Sequence, residues 1–139
     1  MDDAINGLAT APVAVRSTLS LINIVAHWRG RDKALASLYN VLQNLYNSLE
    51  ALEQTTISEA STNAILRVLV SHCHFLCQEF ERAMQEFDKQ PRTGLRDWSK
   101  MEFRTGDINE FIDILAGYQA TISVSLDTVT KLVQSHQPA

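Results

Sequence analysis

Residues 35–52, LASLYNVLQNLYNSLEAL, carry the clearest structural pattern in the chain. Six leucines recur there at alternating intervals of three and four residues: Leu35, Leu38, Leu42, Leu45, Leu49 and Leu52. With 3.6 residues per helical turn, this spacing places all six side chains on one face. Tyr39 and Tyr46 widen the face, and amide and carboxylate side chains fill the opposite side. The stretch predicts an amphipathic helix buried in a bundle, because its two and a half or so heptads are few for an extended coiled coil.

Two later segments repeat this alternation of threes and fours. Thr56 with Glu59, and Asp107 with Glu110, have the form of capping boxes and predict where the two helices begin. The helix that begins near Thr56 is predicted to end near Asp88. Its apolar positions are Leu66, Leu69, Cys73, Leu76, Phe80, Ala83 and Phe87. The helix that begins near Asp107 has its apolar positions at Ile108, Phe111, Leu115, Tyr118, Ile122, Val129 and Leu132.

Together these segments predict an all-α protein, a helical bundle of four long helices. The first helix is predicted over about 4–27, bent or interrupted at Pro12, whose ring clashes with the preceding turn. The one long connection is 89–106, and a short extra helix around 95–103 is compatible with its sequence. We expect a single domain over 1–136, followed by a tail at 137–139.

Composition excludes several classes of function. The chain has 139 residues and a net charge of −4, so no basic field favours nucleic acid as a partner. It has two cysteines, which suit a reducing compartment such as the cytoplasm better than a disulfide-stapled secreted fold. Phosphate-binding glycine loops and nucleophile elbows do not occur in the sequence. We therefore expect neither enzymatic activity nor a cofactor.

The segment 72–77, HCHFLC, is the one cluster of metal-ligand residue types in the sequence. A structural zinc site needs four ligands, usually from two segments, and neither His27 nor His136 has a second ligand beside it. Cys73 also lies on the apolar face of its helix, where a free cysteine behaves as a small hydrophobe. We expect core packing here and no metal; a small metal protein or enzyme is the alternative.

The connection carries a second patterned set, with basic residues every four positions: Arg92, Arg96, Lys100 and Arg104. If this stretch were helical, the four would form a stripe suited to an anionic membrane surface. The alternative is that these basic side chains pair with the acidic residues at the end of the preceding helix, with Trp98 and Phe103 capping the core.

The stretch 4–26 also allows two interpretations. Its one charged residue is Arg16. It reads as a buried helix or as a segment that inserts into a membrane conditionally.

The chain resembles the N-terminal domain of fungal STAND (NLR-like) receptors, in the helical HeLo-like and SesA-like group. It is also similar to the N-terminal domain of fungal azaphilone pigment-cluster proteins. The features that carry the resemblance span nearly the whole chain. They are the stretch 4–26, Trp28-Arg29, the leucine face, the segments 73–80, 95–98 and 107–111, and Leu115, Tyr118, Thr121, Ile122 and Leu126.

The resemblance implies a non-enzymatic signalling or effector domain that precedes a nucleotide-binding oligomerisation module and a repeat sensor. Its partners would be further copies of itself or other helical signalling domains. Activation would recruit it from the cytoplasm to the plasma membrane, where the first helix induces cell death. The candidates for membrane contact or oligomerisation are Ile5, Leu8, Val15, Leu19, Leu21, Ile22, Ile24 and Val25. A plain adaptor bundle that never touches lipid is the alternative.

Overall fold

A computed structural model describes residues 10–89, 98–101, 103 and 106–135. Within these residues the chain forms four long helices: α1 (Ala11–Trp28), α2 (Lys33–Glu53), α3 (Ala60–Lys89) and α4 (Ile108–Ser135). Short 3₁₀ turns occupy Arg29–Arg31 and Trp98–Lys100. The predicted all-α bundle of four long helices is thereby confirmed.

A proline lies at the start of α1, and acidic side chains cap the starts of the other helices. Pro12 lies in the first turn of α1, where its missing N–H is not needed. The part of the predicted first helix before Thr10 lies outside the described residues. Asp32 begins α2, because its carboxylate accepts a hydrogen bond from the Leu35 N–H at 3.0 Å. Asp107 does the same for the Glu110 N–H at 3.2 Å, as its predicted capping role requires.

The predicted capping box at Thr56 is wrong, because Glu59 is itself the cap. Its carboxylate accepts hydrogen bonds from the N–H groups of Ser61 and Thr62, at 3.2 and 2.6 Å. Ile57 is buried, and the Asn63 side chain donates to its carbonyl at 3.2 Å. These contacts hold 54–59 as a connection, so α3 begins at Ala60.

Replacing Glu59 with alanine is expected to destabilise the fold more at neutral pH than in acid. Hydrogen bonds from Thr62, and then from Ser61, lower the pKa of the Glu59 carboxyl below its ordinary 4.5. A carboxylate with a lowered pKa stabilises the folded state above that range, and the contribution fades as pH falls through the folded pKa. Urea unfolding on both sides of pH 4.5 measures this. A deficit for Glu59→Ala that does not shrink in acid would contradict the assignment.

The core follows the leucine face of α2, whose six leucines are all buried. α1 packs closely on α2 and α3, and α2 packs closely on α4, whereas α3 and α4 make few contacts with each other. The order around the bundle is therefore α3, α1, α2, α4. A seam between α3 and α4 closes the ring.

Aromatic rings fill one end of this seam. The Phe80 ring of α3 stacks on the Phe111 ring of α4 at 4.1 Å between centroids, and Phe103 contacts both rings edge-on. Trp98 is buried beside Phe87 and Trp28, so Trp98 and Phe103 cap the core as expected.

The short extra helix around 95–103 does not extend through the part of this segment that the structure describes. One 3₁₀ turn covers Trp98–Lys100, and Phe103 pairs with Gly106 in a backbone bridge. Trp98, Met101 and Phe103 are all buried. Positions 101 and 103 would point about 200° apart on an α-helix, so a helical path would expose one of them.

Candidate interaction surface

The membrane candidates on α1 are mostly part of the core. Leu21, Ile22 and Val25 are buried, and Val15 and Ile24 are half-buried against the same core. Leu19 is 40% exposed. Ile5 and Leu8 lie outside the described residues. None of the described helices is both long and apolar enough to cross a membrane.

Polar contacts join α1 to α3. The Ser17 hydroxyl donates to the Val13 carbonyl and meets Nδ1 of His74. One turn further along α3, the Thr18 hydroxyl lies 3.7 Å from the sulfur of Cys77. The Ser20 hydroxyl donates to Glu81 at 2.7 Å. Because the contacts advance in the same direction on both helices, α1 and α3 run parallel along a seam that is partly polar.

The segment 72–77 does not converge on a metal. Cys73 and Cys77 are buried, whereas Nδ1 of His72 lies 3.3 Å from the Tyr118 hydroxyl on α4 and His74 contacts α1. Among the described residues, no three histidine, cysteine or acidic side chains are grouped as metal ligands. His72, His74 and Cys77 link α3 to neighbouring helices, whereas Phe75 in the same segment is exposed.

Both cysteines are expected to resist thiol reagents in the folded protein. Burial raises the pKa of the Cys77 thiol to about 12, and the hydrogen bond with Thr18 offsets only part of this. Burial also raises the pKa of Cys73, and the neighbouring Cys77 adds to the shift. Since the thiolate is the reactive form, Ellman's reagent should label neither thiol until urea unfolds the chain. Rapid labelling of the native protein would contradict this packing.

The predicted basic stripe falls largely outside the described residues, which exclude Arg92, Arg96 and Arg104. Lys100 is exposed. At the end of α3, the Lys89 ammonium lies 3.7 Å from the Glu86 carboxylate, and both side chains are largely exposed. The stripe stays a prediction.

The largest concentration of exposed apolar side chains lies on α3 and α4. Ile65, Val68 and Phe75 of α3 are 57–58% exposed, and Ile114 and Val124 of α4 are 41% and 65% exposed. The two helices run antiparallel, because His72 meets Tyr118 and Phe80 meets Phe111. Ile65, Val68 and Phe75 of α3 and Ile114 of α4 lie beside the α3–α4 seam, whereas Val124, nine residues and so half a turn from the buried Leu115, lies on the back of α4. We call the surface beside the seam the outer α3–α4 face.

A groove of about 430 Å³ opens in this face, at the end of the seam away from the aromatic cluster. Its lining is uncharged: Ala64, Ile65, Val68, Leu69, His72 and Tyr118. The two polar groups in the lining, the His72 ring and the Tyr118 hydroxyl, are within hydrogen-bonding distance of each other. A partner could therefore cover His72 Nδ1 and the Tyr118 hydroxyl without leaving either atom unpaired.

Hydroxyl groups on α4 are similarly satisfied within the helix. Thr121, Ser125 and Thr128 each donate to the backbone carbonyl four residues earlier, at 3.0–3.1 Å. With the hydroxyls turned back to the backbone, the threonine methyl groups add to the apolar character of this side of α4.

A family model describes nearly all of this chain. The model of the pigment biosynthesis cluster protein PigL N-terminal domain matches residues 4–137. The chain belongs to this family. The match confirms the resemblance to the N-terminal domain of fungal azaphilone-cluster proteins. No curated protein and no solved structure matches the chain.

The outer α3–α4 face of this PigL N-terminal family member was not among the predicted sites, although the sequence of α3 contains a signal for it. In α3 the core positions Leu66, Leu69, Cys73 and Leu76 each follow a residue of a second stripe: Ile65, Val68, His72 and Phe75. Three of these four pairs are apolar doublets. Doublets at alternating three- and four-residue intervals make a helix apolar on two adjacent strips, of which the bundle here buries one.

Proposed function

We propose that this domain is a non-enzymatic signalling module, the N-terminal domain of a fungal NLR-like receptor. It acts by self-association or by binding another helical domain, without nucleic acid or a cofactor. The observation that carries the proposal is the outer α3–α4 face. Large exposed apolar patches on a monomer commonly mark interaction sites.

The chemistry of the face supports a protein partner. An uncharged lining loses little free energy when it is desolvated. Each apolar side chain that a partner covers adds to the binding free energy in proportion to the area removed from water. Two antiparallel helices with a groove between them also match the common mode in which a partner helix lays its apolar side into a groove.

Forced clustering in a fungal host tests the signalling role. The domain is fused to a module that dimerises when a small molecule is added, and growth and viability are followed. Clustering should arrest growth, whereas the same fusion without the inducer should not. A folded, clustered domain that leaves growth unchanged would overturn the signalling role and favour a plain adaptor bundle.

Membrane targeting by α1 is a second candidate function, which would follow recruitment from the cytoplasm to the plasma membrane. The polar α1–α3 seam favours it, because each α1 hydroxyl and its imidazole, thiol or carboxylate partner on α3 can hydrogen-bond to water once the helices separate. The contact between α1 and α2 opposes the release of α1, because Leu21 and Val25 would become exposed to water.

Dye release from anionic liposomes tests this second function. Leu19 is the α1 candidate that can be changed without burying a charge, so Leu19→Glu is the informative variant. Leakage that Leu19→Glu abolishes would support contact between α1 and lipid. If the folded wild-type protein releases no dye, the domain does not permeabilise these membranes by itself.

A further inference from the structure

The outer α3–α4 face has a projection and a recess on the same side of α3. Val68 lines the groove, and Phe75 lies seven residues further along the helix. Seven residues are almost two full turns, so the two side chains point in nearly the same direction, about 10 Å apart along the axis. Phe75 is 57% exposed and is not part of the groove lining, so its ring projects beside the recess.

We propose that this face pairs with the same face of a second copy of the chain, with Phe75 of each copy entering the groove of the other. The inference rests on the proposed function and names its partner. In a two-fold interface, any contact from residue i to residue j is repeated from j to i. A two-fold axis that crosses α3 midway between Val68 and Phe75 makes the contact of Phe75 with the opposite groove reciprocal in this way.

This axis passes beside Ser71 and His72 and makes the two α3 helices antiparallel. Each phenyl ring then lies over Val68 of the other copy, and the small side chain of Ser71 allows the two helices to approach closely. A groove of about 430 Å³ is large enough to accept a phenyl ring together with part of a neighbouring side chain.

The charge distribution favours a second copy over a charged partner. Arg67 is the one charged residue of α3 before Glu79; it does not line the groove, and its guanidinium lies 3.5 Å from the Asn63 side-chain oxygen. The other charged residues of α3 all lie beyond Phe75 and have mixed sign, among them Glu79, Glu81 and Arg82. The central part of the face therefore does not repel the same face of a second copy. It also has no charge that would select an acidic or basic ligand.

The exposed area predicts a weak dimer. The four apolar side chains of this face, each about half exposed, offer roughly 350 Å² per copy, which gives roughly 700 Å² for a two-fold pair. Stable interfaces begin at about 1,200 Å² in total, so polar contacts at the rim must supply the remainder. We expect a reversible dimer that forms as the concentration rises.

Sedimentation of the whole chain from micromolar to millimolar concentration tests the pairing. The wild-type protein should shift from monomer to dimer, and Phe75→Glu and Val68→Glu should each raise the dimer dissociation constant by at least about tenfold. Leu19→Glu is the matched control: it makes the same chemical change at an exposed apolar position on α1, and it should leave the equilibrium unchanged. Circular dichroism verifies that each variant is folded.

Disulfide trapping tests the position of the axis directly. Ser71→Cys should give a covalent dimer on mild oxidation, because position 71 lies beside its own copy across the axis. Ala51→Cys, on the exposed side of α2, should not. The buried Cys73 and Cys77 do not compete in the folded protein.

Two results would overturn the pairing. One is a chain that is monomeric at every concentration; the other is a dimer that Phe75→Glu leaves intact and that Ser71→Cys does not trap. Neither result touches the signalling role, because forced clustering supplies contact between copies by an external module. Conversely, if the protein forms the proposed dimer but forced clustering leaves growth unchanged, the signalling role alone is refuted.

Discussion

Replacing Leu21 with glutamate is expected to lower the free energy of unfolding by more than about 4 kcal/mol. Leu21 is fully buried on α1, the helix that packs on both α2 and α3. A glutamate there must either bury a charge without a partner or take up a proton at a cost, and it also loses the packing of the leucine. Since small domains are stable by about 5–15 kcal/mol, this substitution removes a large share of the total stability.

Urea unfolding followed by circular dichroism measures this effect. Leu19→Glu is again the matched control, since Leu19 is two residues away on the same helix and 40% exposed. It should change the free energy of unfolding by less than about 1 kcal/mol. If Leu21→Glu were as stable as Leu19→Glu, α1 would not be part of the core in solution, and its release would be easy. The pair of variants therefore measures how firmly the proposed membrane helix is held.

The fold could be predicted from the sequence where burial repeats along a whole helix. The leucine face of α2 is the best case, because each of its six leucines contributes to the same pattern and an error at one position changes little. Single-residue signals were less reliable. Thr56 and Glu59 can both cap a helix, and the choice between them depends on the burial of Ile57 and on its hydrogen bond with Asn63. That tertiary contact leaves no local trace in the sequence.

The candidate site could not be predicted for a related reason. α3 has two adjacent apolar stripes, and the one that is buried depends on how closely α4 approaches. Phe80 and Phe111 bring the helices together at one end, whereas the groove separates them near Val68. On α1 an apolar pattern alone does not tell a core-facing side chain from a membrane-facing one, and the structure places candidates such as Ile22 and Val25 inside the bundle.

Replacing Phe80 with alanine is expected to lower the free energy of unfolding by about 3–5 kcal/mol. The Phe80 ring is fully buried, stacks on Phe111 with 7° between the ring planes, and meets Phe103 at 5.1 Å. Removing it leaves a cavity in the aromatic cluster that ties α3 closely to α4 at one end of the seam. Phe80→Leu keeps most of the volume and should cost less than about 1.5 kcal/mol.

Phe75→Ala is the matched control for this cavity, because it makes the same substitution five residues earlier on the exposed side of α3. In dilute, monomeric protein it should change the free energy of unfolding by no more than about 0.5 kcal/mol. Equal losses for the two variants would mean that the outer α3–α4 face is already covered in dilute solution. A large loss for Phe80→Ala alone would assign the two phenylalanines separate roles. Phe80 would hold the seam closed, and Phe75 would be left free for a partner.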